Sequence, residues 1–122
     1  MTIASSIPPK LEPDVVTARQ TADGVALELR ITADLAPLEG HFPGLPIVPG
    51  VALVDWVVRF AVRHVGFRDD SATRLQIKFR RVLQPDCDVT LTLHKVSDRR
   101  VRFEYRHLDT VYSSGTVASG DT

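Results

Sequence analysis

Glu39-Gly40-His41-Phe42-Pro43-Gly44-Leu45-Pro46-Ile47-Val48-Pro49-Gly50-Val51 runs straight into ALVDWVVRFAVRHV, residues 52–65, which hold neither proline nor glycine. The junction separates two kinds of backbone. Upstream, residues 33–50 contain four prolines and three glycines, so they form neither a continuous helix nor a strand. A loop of this length in a compact domain is often functional. Downstream, residues 51–65 read as one helix, stopped by Gly66. Its apolar residues occur nearly all round, as in buried helices. Asp55, Arg59 and Arg63 fall on one line, four residues apart.

Strand patterns lie on both sides of this segment. Val25, Leu27, Leu29 and Ile31 alternate with polar or small residues, the period of a half-buried strand. Residues 15–19 form a short strand before it, across a turn at Ala22-Asp23-Gly24. After the helix, residues 74–81, 89–94 and 101–106 alternate in the same way, and residues 111–118 form a weaker last strand. Two strands, a long loop, one helix and then four strands in a meander imply an α+β domain: one antiparallel sheet wrapped around one long helix. Such a sheet covers one side of the helix only, so a second copy of the chain is expected on the other. The chain reads as a single domain, residues 1–122. Residues 1–13, with Pro8, Pro9 and Pro13, are expected to be an extended lead-in, disordered at its start.

Bulk properties remove several function classes. The 122 residues carry a formal net charge of zero, which points to neither nucleic acid nor an anionic membrane. The longest apolar stretch, residues 48–67, is broken by Asp55, Arg59, Arg63 and His64 and cannot be an ordinary membrane span. The N-terminus has no secretory pattern. The single cysteine, Cys87, forms no disulfide within the chain, and no Cys/His spacing suggests a metal site. A reduced, cytoplasmic setting is the expectation.

The chemistry concentrates at the loop–helix junction. His41 opens a rigid loop that ends at a helix N-terminus, where unpaired N–H groups and a positive dipole end suit a carbonyl gaining enolate character. Asp55 follows one turn into the helix. These residues, His41-Phe42-Pro43-Gly44-Leu45-Pro46-Ile47-Val48-Pro49-Gly50-Val51 with Asp55 fourteen positions after His41, resemble the active-site signature of the β-hydroxyacyl-(acyl carrier protein) dehydratases, which have a hot-dog fold. Lys78-Phe79-Arg80-Arg81 followed by Pro85-Asp86 is similar to that family's strand and turn after the helix. Aspartate at position 55 matches the branch that includes bifunctional dehydratase/isomerases, so isomerase activity stays open. Asp55-Trp56 with Arg59-Phe60-Ala61 looks like a small subgroup associated with aryl-polyene lipid pathways.

The resemblance implies dehydration of a (3R)-3-hydroxyacyl thioester in fatty-acid or polyene-type lipid synthesis. His41 would be the base, and Asp55 would donate a proton to the leaving hydroxyl or hold it. The N–H groups of Gly50 and Val51 would hold the thioester oxygen, with Phe42 and Pro49 lining the substrate site. The resemblance also implies a homodimer, or a higher even oligomer, whose two subunits supply the histidine and the acid. It needs no metal or redox cofactor, because the substrate brings its own phosphopantetheine arm. Arg80, Arg81, Arg99 and Arg100 are the candidates for docking an acidic acyl carrier protein or coenzyme A.

Plainer readings exist for each residue. His41 alone is an ordinary loop histidine, and Asp55 can simply pair with Arg59 one turn on, which would weaken a proton-donor role. Trp56 is expected in the core or a dimer contact, His64 as a cation at the helix end, Cys87 as inert, and His94 and His107 as solvated or locally satisfied. Most of the strand arginines are expected to be ordinary exposed positions. Two rival functions remain: a thioesterase on the same fold, which would use Asp55 without the histidine-led loop, and a non-catalytic acyl-thioester-binding subunit.

Overall fold

The computed structural model describes residues 10–35 and 47–120. The elements are β1 (Asp14–Gln20), β2 (Gly24–Ile31), α1 (Gly50–Val65), β3 (Thr73–Phe79), β4 (Cys87–Ser97), β5 (Arg100–His107) and β6 (Thr110–Ser119). The period-two stretches became strands and the proline-free run became the helix, each within a few residues of its expected bounds. Among the described residues no helix is long and apolar enough to cross a membrane.

The strand order is β1-β2-β4-β5-β6-β3, with every neighbouring pair antiparallel. The expected four-strand meander is therefore wrong by one strand. Only β4, β5 and β6 form a meander, while β3 lies at the far edge beside β6. Burial explains the arrangement. The inner faces of β2 (Val25, Leu27, Leu29, Ile31) and β4 (Val89, Leu91, Leu93) are wholly buried, so these two strands pair with each other near the middle of the sheet. β3 is exposed along nearly its whole length and takes an edge. Because β2 and β3 lie four places apart in the sheet, α1 carries the chain across its face. The weak-looking β6 is held on both sides, by β5 and β3.

α1 buries Ala52, Leu53, Trp56, Val57, Phe60 and Ala61 against the inner rows of the sheet, among them Leu27, Leu91, Leu93, Phe103 and Tyr105. Gly66 ends it in the left-handed region at φ 71°, and Phe67 N–H then donates to Ala61 O at 3.1 Å.

The end of the lead-in is held against the helix. Residues 10–13 lie across the outer side of α1 as a strap. Trp56, fully buried, donates from Nε1 to Leu11 O at 2.9 Å, and Arg63 forks onto both carboxylate oxygens of Glu12 at 3.0 and 2.8 Å. An indole N–H in a core needs an acceptor, and the strap supplies it. Residues 1–9 lie outside the described residues.

Candidate active site at the start of the helix

Pro49 caps the helix with extended geometry (φ −64°, ψ 146°) and no side-chain hydrogen bond. Its carbonyl takes the N–H groups of both Ala52 and Leu53, at 3.0 and 3.2 Å. The N–H groups of Gly50 and Val51 find no acceptor among the described residues, as expected of a first helical turn. The Phe79 ring lies over Gly50. A Cβ there would fall 2.8 Å from Phe79 Cζ, so only glycine lets the ring and the helix start approach this closely.

Around this point lies a cavity of about 290 Å³, lined by Ile47, Val48, Gly50, Leu53, Phe79 and Leu83, with Val82 and the arginines Arg80 and Arg81 completing its wall. Val48 N–H donates to Leu83 O at 2.7 Å, tying the loop end to the segment after β3. From below, the Tyr105 hydroxyl donates to Leu53 O at 2.6 Å. Burial, with a smaller contribution from the charge of Asp55, raises the Tyr105 phenol well above its ordinary range. It therefore serves as a neutral donor that pins the first turn to the sheet.

Asp55 sits one turn on, half-exposed, and accepts from Arg59 Nε at 2.7 Å. Of the two arginines on the same line, Arg59 pairs with the acid, as the plainer reading has it, while Arg63 turns to Glu12. Arg59 touches Asp55 and also lies 3.7 Å from Glu12 Oε2. In the single chain Asp55 belongs to an uncovered helix stripe with Val51, 79% exposed, and Val62, 47% exposed. His41 and Phe42 lie outside the described residues.

The four arginines named as docking candidates separate. The N–H groups of Arg80 and Arg81 both donate to Tyr112 O, at 2.8 and 3.1 Å, which fixes them beside the cavity. They also line a polar depression with Glu104, Asp109 and Ser114. Arg100 pairs in register with Ala118 at the opposite end of β6, about 20 Å away at the usual rise per residue. Arg99 is engaged by Asp70 at 2.5 and 3.2 Å. One patch at the cavity is thus formed by Arg80 and Arg81 alone.

His64, His94 and Cys87 lie outside the lining of this cavity. Burial, then the neighbouring Arg63 charge, lowers His64 below the usual imidazole range, contrary to the expected helix-end cation. His94 Nε2 lies 3.2 Å from Arg102. Burial raises the Cys87 thiol, which keeps it unreactive. Sequence reasoning passed over Phe79, Tyr105 and Glu12. Phe79 carried the one available signal, a large apolar residue between lysine and two arginines.

A family model described as ApeI-like, ApeI dehydratase, matches residues 17–116. The dehydratase heterocomplex ApeI:P from Xenorhabdus doucetiae is similar in structure, with a TM-score of 0.76 at 28% identity over 87% of this chain and 96% of that one. An uncharacterized protein from Erwinia carotovora subsp. atroseptica gives 0.66 at 28% identity, over 87% and 94%. Among curated proteins, the 3-hydroxyacyl-[acyl-carrier-protein] dehydratase FabZ of Rickettsia rickettsii (strain Sheila Smith) is 28% identical over 97 residues. That match takes in 73% of this chain and 66% of the relative's length. The FabZ of Methylobacterium sp. is 29% identical over 62% of this chain and 52% of its own length.

Proposed function

Because the chain belongs to the ApeI-like dehydratase family and has its hot-dog fold, we infer that it converts a (3R)-3-hydroxyacyl thioester to the trans-2-enoyl thioester. The acyl group arrives on the phosphopantetheine arm of an acyl carrier protein, in fatty-acid or polyene-type lipid synthesis. The observation that carries this reading is the apolar cavity at the start of α1, with Gly50 at its wall and Asp55 one turn away.

His41 removes the proton at C2. The electron pair moves toward the thioester oxygen, which the Gly50 and Val51 N–H groups hold, and then returns to form the C2–C3 double bond. The C3 hydroxyl leaves as water with a proton delivered at Asp55. Phe42 and Pro49 border the reacting end, and the chain carries the reaction without metal or redox cofactor. Arg80 and Arg81 meet the anionic phosphopantetheine or the carrier, and coenzyme A suits them equally. The cytoplasm is the matching compartment.

The uncovered stripe of Val51, Asp55 and Val62 calls for a second subunit. The Xenorhabdus neighbour is a dehydratase heterocomplex; for this chain the simplest partner is another copy of itself, placing the His41 of one subunit against the Asp55 of the other.

The test is hydration of a crotonyl or longer trans-2-enoyl thioester, followed by loss of enoyl absorbance, with His41→Ala and Asp55→Asn in parallel. Hydration by the wild type, lost roughly 100-fold or more in both variants, is expected. Release of free thiol that survives His41→Ala would reassign the chain to a thioesterase. Tight acyl-thioester binding without turnover would make it a binding subunit.

A further inference from the structure

The three charged side chains on the outer line of α1 are not independent, and the residue that organises them comes from the strap. Arg63 holds Glu12 with both terminal nitrogens at 3.0 and 2.8 Å. Glu12 Oε2 in turn lies 3.7 Å from Arg59 Nη1, and Arg59 Nε donates to Asp55 Oδ2 at 2.7 Å. The charges alternate along this path, from Arg63 through Glu12 and Arg59 to Asp55. The Trp56–Leu11 hydrogen bond sets where the strap crosses the helix. Charge pairing with Arg63, the main cause, and with Arg59 holds the Glu12 carboxyl below the usual carboxylate range, so it is an anion at neutral pH.

An arginine beside a lone carboxylate ordinarily turns its planar fork to engage both oxygens. Arg59 does not. It offers Asp55 a single nitrogen, Nε, while its Nη1 side faces Glu12, and Asp55 Oδ1 accepts no hydrogen bond among the described residues. We propose that Glu12 is a positioning residue for the reaction: it draws the Arg59 guanidinium toward the strap, restricts it to a one-nitrogen contact with Asp55, and so leaves Asp55 Oδ1 open to the hydroxyl of the substrate. Tyr105 lies beneath the same turn, Lys10 belongs to the strap and Asp14 follows it. Among the described residues the carboxylates paired with Arg59 are Asp55 and Glu12. The inference rests on the dehydratase reading, because it presumes that Asp55 meets substrate.

The test is a double-mutant cycle on enoyl-thioester hydration with Glu12→Gln, Arg59→Gln and the double variant, each also followed by thermal unfolding. Glu12→Gln preserves the shape of the side chain and removes its charge, freeing Arg59 to fork onto Asp55. Turnover is expected to fall roughly tenfold, the scale of a misplaced reacting group, with KM nearly unchanged. In the Arg59→Gln background the same change should have almost no further effect, because the residue through which Glu12 acts is gone. Equal losses in both backgrounds, or a loss that simply follows the melting temperature, would make Glu12 a structural anchor and overturn the inference while leaving the dehydratase reading intact. A wild-type protein with no hydratase activity overturns both.

Discussion

The two sides of α1 answer to different rules. The side facing the sheet carries Trp56, Val57 and Phe60, each fully buried, and is tied down by Tyr105. The other side carries Val51, Asp55, Arg59 and Val62, where exposure is high and the interactions are ionic. One side holds the fold together through shape and area removed from water. The other is free to present chemistry, because none of its residues is needed to close the core. The candidate site lies where the two sides meet, at the first turn.

The largest effect should come from emptying the inner side. Trp56→Ala removes the largest buried side chain and leaves the strap carbonyl of Leu11 unmet, so it should cost about 3–5 kcal/mol, measured by urea unfolding. A cost below about 1 kcal/mol would mean that the strap and core are not coupled as described. On the outer side, Val62→Asp should leave the fold nearly untouched and weaken self-association tenfold or more, measured by analytical ultracentrifugation. Unchanged association would place the second subunit elsewhere.

A smaller effect, of opposite sign, is expected at Ser113. Its hydroxyl is buried with no hydrogen-bond partner among the described residues, in register with Phe79 and Tyr105. Ser113→Ala should stabilise the protein by about 1 kcal/mol, read from the urea midpoint; destabilisation would reveal a partner for the hydroxyl in the assembled protein.

The smallest effect concerns pH. The folded Glu12 carboxyl is held below its ordinary value of 4.5. Its contribution is therefore present in full above that value and is lost as pH falls through the lower folded one. For a partly exposed pair it amounts to less than about 1 kcal/mol. Glu12→Gln should flatten the stability curve slightly below about pH 4.5 and lower the plateau above it. A curve identical to the wild type would show that the strap pairs contribute nothing to folding.

The difference between the two sides also separates what was readable in advance. The inner side was legible because burial leaves a periodic trace: Leu27 and Leu29 alternate, and the helix runs unbroken between Gly50 and Gly66. The loop around His41 and Gly50 stood out because prolines and glycines punctuate it, and Asp55 because it interrupts the apolar run of the helix. The outer side left only the four-residue spacing of Asp55, Arg59 and Arg63. Nothing at Glu12 announces a bond to Arg63, fifty-one residues away, and the four basic candidates looked alike until the sheet placed Arg80 and Arg81 beside the cavity and Arg99 against Asp70.

The order and kind of the elements, the helix bounds and the chemical character of the loop were determined by the sequence itself, since each depends on neighbours within a few residues: a side-chain period, a missing N–H, a missing Cβ. The place of β3 at the sheet edge, the closure of Phe79 over Gly50, the strap across α1 and the hold of Arg63 and Arg59 on Glu12 were decided only by the tertiary structure. Each is a contact between segments far apart in the chain, and the free energy that selects it comes from area buried and charges paired between them, which no local pattern encodes.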